Sequence, residues 1–458
     1  MLRIEVKHWN INALLLTLSL FGYLFVSYFF TRAESPQIVG LYSLLFVFYL
    51  SAYYLSDTDF KINQAVNFAI AFRFSLLVLV PNLSDDFYRF IWDGRLFNAG
   101  INPFEQLPTF YINHPEAAPP GIDQELFDKL NSKEYFTIYP PVNQLIFIIA
   151  TWVSSSVQGA AITMRLFIIA AEIGSIFIIR RLLMAYHLPA KNILLYALNP
   201  LVILELTGSL HFEAIAIFFV LLSVYLLKKR KSIFSALSFA LSVCTKLNPL
   251  IFLPVIATRL SFSKTLKYYL FAALFIAMCF VPLYDIQFIK GMTSSFSLYF
   301  QKFEFNASIY YLIREVGYYV KGYNIIGTAG KFLALTTFVV ILLYTFFEWR
   351  KHSVNTAYQS KRSGNLLVSF LWVYLIYLVF TTTLHPWYIT PLVAYSIFSR
   401  YRFPILWSGL IFFTYFNYYN DAYHEYIGIV IAEYVLVYAF MIYELFYKRE
   451  DAEEFQGA

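Results

Sequence analysis

The sequence predicts an all-α polytopic membrane protein, on three observations. Hydrophobic residues make up 59% of the chain and charged residues 14%, a balance foreign to ordinary soluble domains. The apolar residues gather in runs near the length of a bilayer crossing. Lys and Arg sit mainly in the short segments between those runs, and the net charge is only +6; this is the positive-inside bias and not a nucleic-acid surface. Cys244 and Cys279 both fall in apolar runs, so they read as small core residues without a disulfide or metal framework.

In chain order, MLRIEVKHWN precedes the first apolar run and lacks a small-residue cleavage site, which predicts a retained span acting as a signal anchor. Runs that cross or nearly cross a bilayer lie at 11–30, 36–55, 62–80, 161–183, 190–206, 210–227, 266–284, 328–347, 366–384, 387–400, 403–418 and 426–446. The stretch 232–258 is flanked by basic residues on both sides, Lys228 to Lys231 and Arg259 to Lys264, so both ends belong inside. Its centre, KLNP at 246–249, breaks a helix, which predicts two short helices turning near the outer face; the alternative is one kinked helix with Lys246 snorkelling. The stretch 138–157 is apolar enough to cross, but a crossing would invert every later basic loop, including the 350–362 segment. It is therefore expected to lie on the outer leaflet, started by Pro140-Pro141.

This topology keeps the N-terminus and the tail KREDAEEFQGA inside, with about 14 spans in one domain, 1–458. Outside lie a long loop at 81–160, the turn TGSLHFE at 207–213, the Lys246 turn, a second loop at 285–327, and LHPWY at 384–388. The unusual chemistry thus collects on one face. No internal repeat is evident, which counts against an inverted-repeat transporter.

The densest charge lies in SDDFYRFIWDGRLFNAGINPF, Ser84 to Phe104, where Asp85, Asp86, Arg89, Asp93 and Arg95 fall within eleven residues just after an apolar run. Charges at the mouth of a span are costly to place and mark a site; the plain alternative is a solvated loop in which Asp85 caps a helix. A carboxylate held beside Arg and aromatic rings suits a general base, with Asp86 the first candidate and Asp85 the second. Arg89 and Arg95 either pair with these acids or hold a phosphate. Glu205, His211 and Glu213 flank the 207–210 turn and read singly as structural. Lys246, between apolar segments, needs a polar cavity or an anion. An aromatic belt accounts for Trp387 and Tyr388 but leaves His385 unexplained. Arg73, inside its own run, requires an internal partner such as a carbonyl or an acid. Asn306-Ala307-Ser308 fits an N-glycosylation sequon. Together these residues describe an outer-facing cavity with an acid, several cations and apolar walls, suited to an anionic amphiphile such as a lipid phosphate.

The 84–104 motif resembles the first outer loop of the GT-C type integral-membrane glycosyltransferases, especially the bacterial polyprenyl-phosphate-mannose-dependent mannosyltransferases. Asp86 matches the family's acidic position, with Tyr88, Phe90, Gly94, Arg95, Gly100, Asn102 and Pro103 in step. IYPPVNQLIF resembles the Pro-Pro surface helix of the related aminoarabinose and protein O-mannosyl transferases. LNPLVILELTGSLHFEAIAIF, TKLNPLIFLP, FNASIYYL and LHPWYITPL are similar to later blocks, so the resemblance runs from about residue 60 onward. It implies a GT-C type bundle of about 12–14 transmembrane helices with outer juxtamembrane helices. It also implies transfer of a hexose such as mannose from a polyprenyl-phosphate donor to a hydroxyl of a glycan or glycolipid, with inversion.

In that scheme Asp86 takes the acceptor proton, and Lys246, Arg89, Arg95 and His385, with His211, Glu213, Trp387 and Tyr388, meet the donor's phosphate or sugar. No cofactor is implied and no metal is needed, although the Asp85–Asp86 pair leaves a metal-assisted variant open. The implied setting is the bacterial inner membrane with the site on the outer or periplasmic face. The competing readings are a transporter or flippase of a lipid-linked sugar, which predicts charges through the middle of many spans, and a non-catalytic subunit, which predicts loss of the acid.

Overall fold

The computed structural model describes residues 10–301, 303–354, 365–421 and 423–447. Most of the N-terminal basic segment, the greater part of the 350–362 segment and the KREDAEEFQGA tail lie outside the described residues. The regular structure is helical, and the isolated bridge among the described residues joins Phe305 to Thr383. The chain is an all-α polytopic membrane protein.

Helix α1 (Ile11–Phe29) packs against both α2 (Ser35–Leu55) and α3 (Asp59–Ser75). The chain then enters α4 (Asp86–Asn98), the short α5 (Pro108–Asn113) and α6 (Gln124–Asp128), α7 (Pro141–Val153) and α8 (Val157–Ala185). After α9 (Leu194–Ala197) a π-helical segment, Val202–Gly208, leads to α10 (Glu213–Lys228). Next come α11 (Ser232–Val243), α12 (Leu253–Ala257), α13 (Phe262–Phe280), α14 (Ile286–Gln301), α15 (Ile309–Lys321) and α16 (Ile326–Val354). The fold closes with α17 (Leu366–Phe380), α18 (Thr390–Ser396), α19 (Phe403–Leu410) and α20 (Ile427–Phe446).

By length and composition six helices among the described residues can cross a membrane: Ile11–Phe29, Arg32–Leu55, Val157–Ala185, Phe262–Leu283, Ile326–Arg350 and Ile427–Phe446. A seventh arises if Ala190–Ala197 and Val202–Gly208, bent by 56°, form one broken span. The other apolar runs fold as shorter or interrupted helices, and there the expected figure of 12–14 departs from six or seven. Residues 232–258 do break in two: α11 ends at Val243, and a fresh helical turn starts at Asn248. Helix α7 has 13 residues with Pro140 at its N-cap and Pro141 in its first turn. At 1.5 Å per residue it reaches about 20 Å, short of the roughly 30 Å hydrocarbon core. It buries Asn143, Gln144, Ile146, Phe147 and Ala150 and exposes Leu145 and Trp152, the two-faced pattern of a surface helix.

Two buried arginines tie the bundle together beneath the site. Arg73 of α3 pairs with Glu172 of α8 at 2.6 Å, both fully buried, and also donates to the carbonyls of Ala69 and Ala197. The acid and carbonyl partners expected for Arg73 are both present. Arg165 of α8 donates to the carbonyls of Leu77, Leu79, Thr207 and Gly208, binding the end of the third apolar run to the π-helical segment.

Candidate active site

Asp85 occupies the N-cap position of α4, but its side chain makes no capping bond; it pairs with Arg32 from the segment joining α1 to α2. Asp86 stands in the first turn of α4, where the helix dipole favours a negative charge. Asn131 Nδ2 donates to its Oδ1 at 2.6 Å, and the side chain keeps 24% of its surface exposed. Both acids border a cavity of about 390 Å³, whose wall also includes Arg32, Tyr139, His385 and Trp387. Segments expected on one face, around 84–89, 131–139, 303–305 and 383–387, meet at this cavity.

One wall is a ladder of rings. Phe305 stacks on His385 at 4.8 Å, His385 on Trp387 at 4.5 Å, and Trp387 on the buried His211 at 3.8 Å. Tyr388 meets His385 edge-on at 5.6 Å. Desolvation in this aromatic wall drives the pKa of His385 down to about 4, helped by His211 and Lys246 and opposed by Asp86. With its pKa lowered in this way, His385 favours the neutral imidazole at neutral pH.

Behind the ladder, His211 Nδ1 lies 2.9 Å from the Glu205 carbonyl and 3.3 Å from its Oε2, while Nε2 faces Asp86 Oδ2 at 3.9 Å. Tyr415 donates to Glu205 Oε1 at 2.8 Å. Lys246 pairs with Glu213 at 2.9 Å and sits 5.9 Å from the centre of the Tyr139 ring.

The other charged residues of the 84–104 motif are engaged within the fold, and of these Arg89 also lines the cavity. Arg89 binds Asp93 at 2.8 Å and the carbonyls of Ser132 and Tyr135, fixing the cavity-lining segment. Asp93 is fully buried and also accepts from Gln144 at 3.1 Å. Arg95 donates to the carbonyls of Gly121 and Ser155, and it is not among the residues lining the cavity. Phe90 stacks on Phe147 at 4.6 Å, and Asn98 reaches Thr151 at 2.8 Å.

The sequon is a correction. Asn306 is fully buried, its Nδ2 donates to Glu433 at 3.2 Å and its backbone N–H to Glu425, so the folded chain offers no amide for a glycan. The cation that sequence reasoning missed is Arg32, which pairs with Asp85 and lies 5.1 Å from the centre of the Tyr418 ring. A signal was available: on the expected topology Arg32 stands outside, against the positive-inside pattern.

Residues 29–261 match the family described as alpha-(1->6)-mannopyranosyltransferase, N-terminal domain, the MptA_B family. That is just over half of the 458 residues. The chain belongs to this family. Membership makes it a GT-C-like mannosyltransferase family protein and supports mannosyl transfer. No curated protein matches the chain. The matched segment begins before α2, earlier than the expected start near residue 60, and contains Arg32, Asp85, Asp86, Glu205, His211, Glu213 and Lys246. The aromatic ladder's Phe305, His385 and Trp387 come from beyond it.

Proposed function

We propose that this mannosyltransferase-family protein moves a hexose, mannose first among them, from a polyprenyl-phosphate donor to a hydroxyl of a glycan or glycolipid, with inversion. The setting of this reading is the outer face of a bacterial inner membrane. The observation that carries it is Asp86: a part-exposed carboxylate at a helix N-terminus, on a cavity bordered by Arg32 and by aromatic rings.

Asp86 takes the proton of the acceptor hydroxyl as the oxygen attacks the anomeric carbon from the side opposite the leaving phosphate. Charge then grows on that phosphate, and preplaced cations lower the barrier. Arg32 and Lys246 fill this role, each now held by an acid, Asp85 or Glu213, that the phosphate can displace. Trp387 and Tyr388 pack against the sugar side, and Arg89 and Arg95 hold the walls. In this reading the cations that meet the phosphate are side chains, Arg32 and Lys246, and no metal is required.

The test is transfer of label from radiolabelled polyprenyl-phosphate mannose into a lipid and glycan extract by the purified full chain. Asp86→Asn is expected to lower turnover about 10²- to 10⁴-fold, Asp85→Asn to act mainly on donor affinity, and EDTA to leave transfer unchanged. Donor binding without product in the wild type would favour a lipid-sugar flippase; no binding at all would overturn the donor assignment.

A further inference from the structure

The cavity wall does not explain the group behind it. His211 is 3% exposed and its Nε2 has no hydrogen-bond partner among the described residues, yet that atom points at Asp86 Oδ2 from 3.9 Å. Glu205 is fully buried, and its Oε2 likewise lacks a hydrogen-bond partner among the described residues while lying 3.3 Å from His211 Nδ1. Leaving such groups unsatisfied is costly, because each forfeits the water it would bind in the unfolded chain. The backbone holds them there by two departures from regular helix. The π-helical segment closes with the Ser209 N–H donating to the Leu204 carbonyl at 2.9 Å, and Leu210 adopts a left-handed φ of +63° directly before His211. A bulky residue in that region is strained, and such strain gathers at functional sites.

We infer that His211, backed by Glu205, is a relay and positioning residue that takes from Asp86 the proton released by the acceptor. This rests on the function proposed above. A carbonyl can only accept, so the 2.9 Å bond to the Glu205 carbonyl requires the proton on Nδ1 and leaves the Nε2 lone pair facing Asp86. The acceptor oxygen uses a lone pair to form the bond to the anomeric carbon. The bond from that carbon to the phosphate oxygen breaks, and its electron pair leaves with the phosphate. The acceptor O–H pair stays on oxygen, and the proton passes to Asp86 Oδ2. That proton then closes the gap to Nε2, as catalytic hydrogen bonds tighten once substrate is in place. The resulting imidazolium lies between the re-ionised Asp86 and the Glu205 carboxylate, which Tyr415 holds at 2.8 Å. Trp387, stacked 3.8 Å away, fixes the ring plane. The proton leaves through the cavity with the products.

The experiment compares His211→Asn and Glu205→Gln with wild type in the radiolabel transfer assay on the full chain, with donor binding measured separately at equilibrium. Asparagine can keep an N–H near the place of Nδ1 but removes the acceptor facing Asp86. The expected result is a fall in kcat of about 10²-fold for His211→Asn, with donor KM and Kd unchanged, and a smaller fall in kcat for Glu205→Gln. Wild-type kcat in His211→Asn, or a loss confined to KM and donor affinity, would overturn the relay. Should His211→Asn fail to fold, Glu205→Gln decides the matter, and an unchanged kcat there counts against it. If Asp86→Asn is inactive while His211→Asn is fully active, the relay alone fails. If Asp86→Asn stays active, or the wild type transfers nothing, the proposed base or function fails and the relay with it.

Discussion

At the scale of single residues, the site separates side chains by what surrounds them more than by their type. Asp85 and Asp86 are adjacent, but one is engaged by Arg32 and the other accepts from the neutral Asn131. His211 and His385 lie on either side of Trp387 in one stack, and burial drives the pKa of His385 down to about 4. Its ordinary value is near 6.5. Between those two pH values the unfolded chain binds the proton and the folded chain does not, so stability falls as pH drops from about 6.5 towards 4. Replacing His385 with Gln removes that proton. Thermal unfolding followed across pH 4–7 is expected to show a shallower acid-side decline in His385→Gln than in wild type; parallel curves would mean that His385 does not titrate this way. That Asp86 and His385 would face one cavity was legible in the sequence because each is a polar or charged group that an apolar setting does not explain. The places of Arg32 and Tyr415 were not, because their meaning lies in partners 53 and 210 residues away.

At the scale of elements, α4 shows why a motif can be recognised for its chemistry and still consist largely of packing. Its first turn carries Asp86, and the remainder fits α4 against α7 through Phe90, Gly94 and Asn98. The glycine is required by close approach: a Cβ at Gly94 would meet the Phe147 carbonyl oxygen, with Phe147 C at 2.7 Å and Thr151 Oγ1 at 2.6 Å. Backbone atoms cannot rotate aside, so α7 must move outward. Gly94→Ala is expected to destabilise the protein by about 1–3 kcal/mol and to lower transfer, because α7 also carries Gln144, which holds Asp93 and through it Arg89. A thermal midpoint equal to wild type would show that the helices are not packed this closely. That 138–157 holds a helix started by its prolines was legible in the sequence; its shortness for a crossing shows once the chain is folded. The π-helical segment before His211 was not legible, since 190–206 reads as an apolar run that ends in a turn at 207–213, and the groups that hold Thr207 and Glu205, Arg165 and Tyr415, come from distant parts of the chain.

At the scale of the whole molecule, apolar surface is divided between core and lipid. On α13, Phe262, Leu266, Leu270, Leu274 and Met278 follow one another every four residues and are 52% to 86% exposed; in the bilayer that stripe meets acyl chains. With lipid outside and apolar packing inside, burial distinguishes poorly between one helix arrangement and another. Polar contacts between distant helices supply that distinction, and the Arg73–Glu172 pair is the most enclosed of the ion pairs described, at 0% exposure on both sides. Tyr196 donates to the same carboxylate, and the Ala197 carbonyl accepts from Arg73, so the pair links α3, α8 and α9 directly under the π-helical segment that bears Glu205. Removing one member leaves a charge with nowhere to go. Arg73→Met is expected to cost about 3–5 kcal/mol, whereas the double change Arg73→Met with Glu172→Leu, which removes both charges, should recover most of that loss. Thermal unfolding of the four proteins, wild type, each single variant and the double, in lipid nanodiscs measures the coupling. Single and double variants equally unstable would mean that the pair contributes through packing alone. A stable double variant that has lost transfer activity would mean that the ion pair sets the register of α3 and α8 on which the placement of Glu205 and His211 depends.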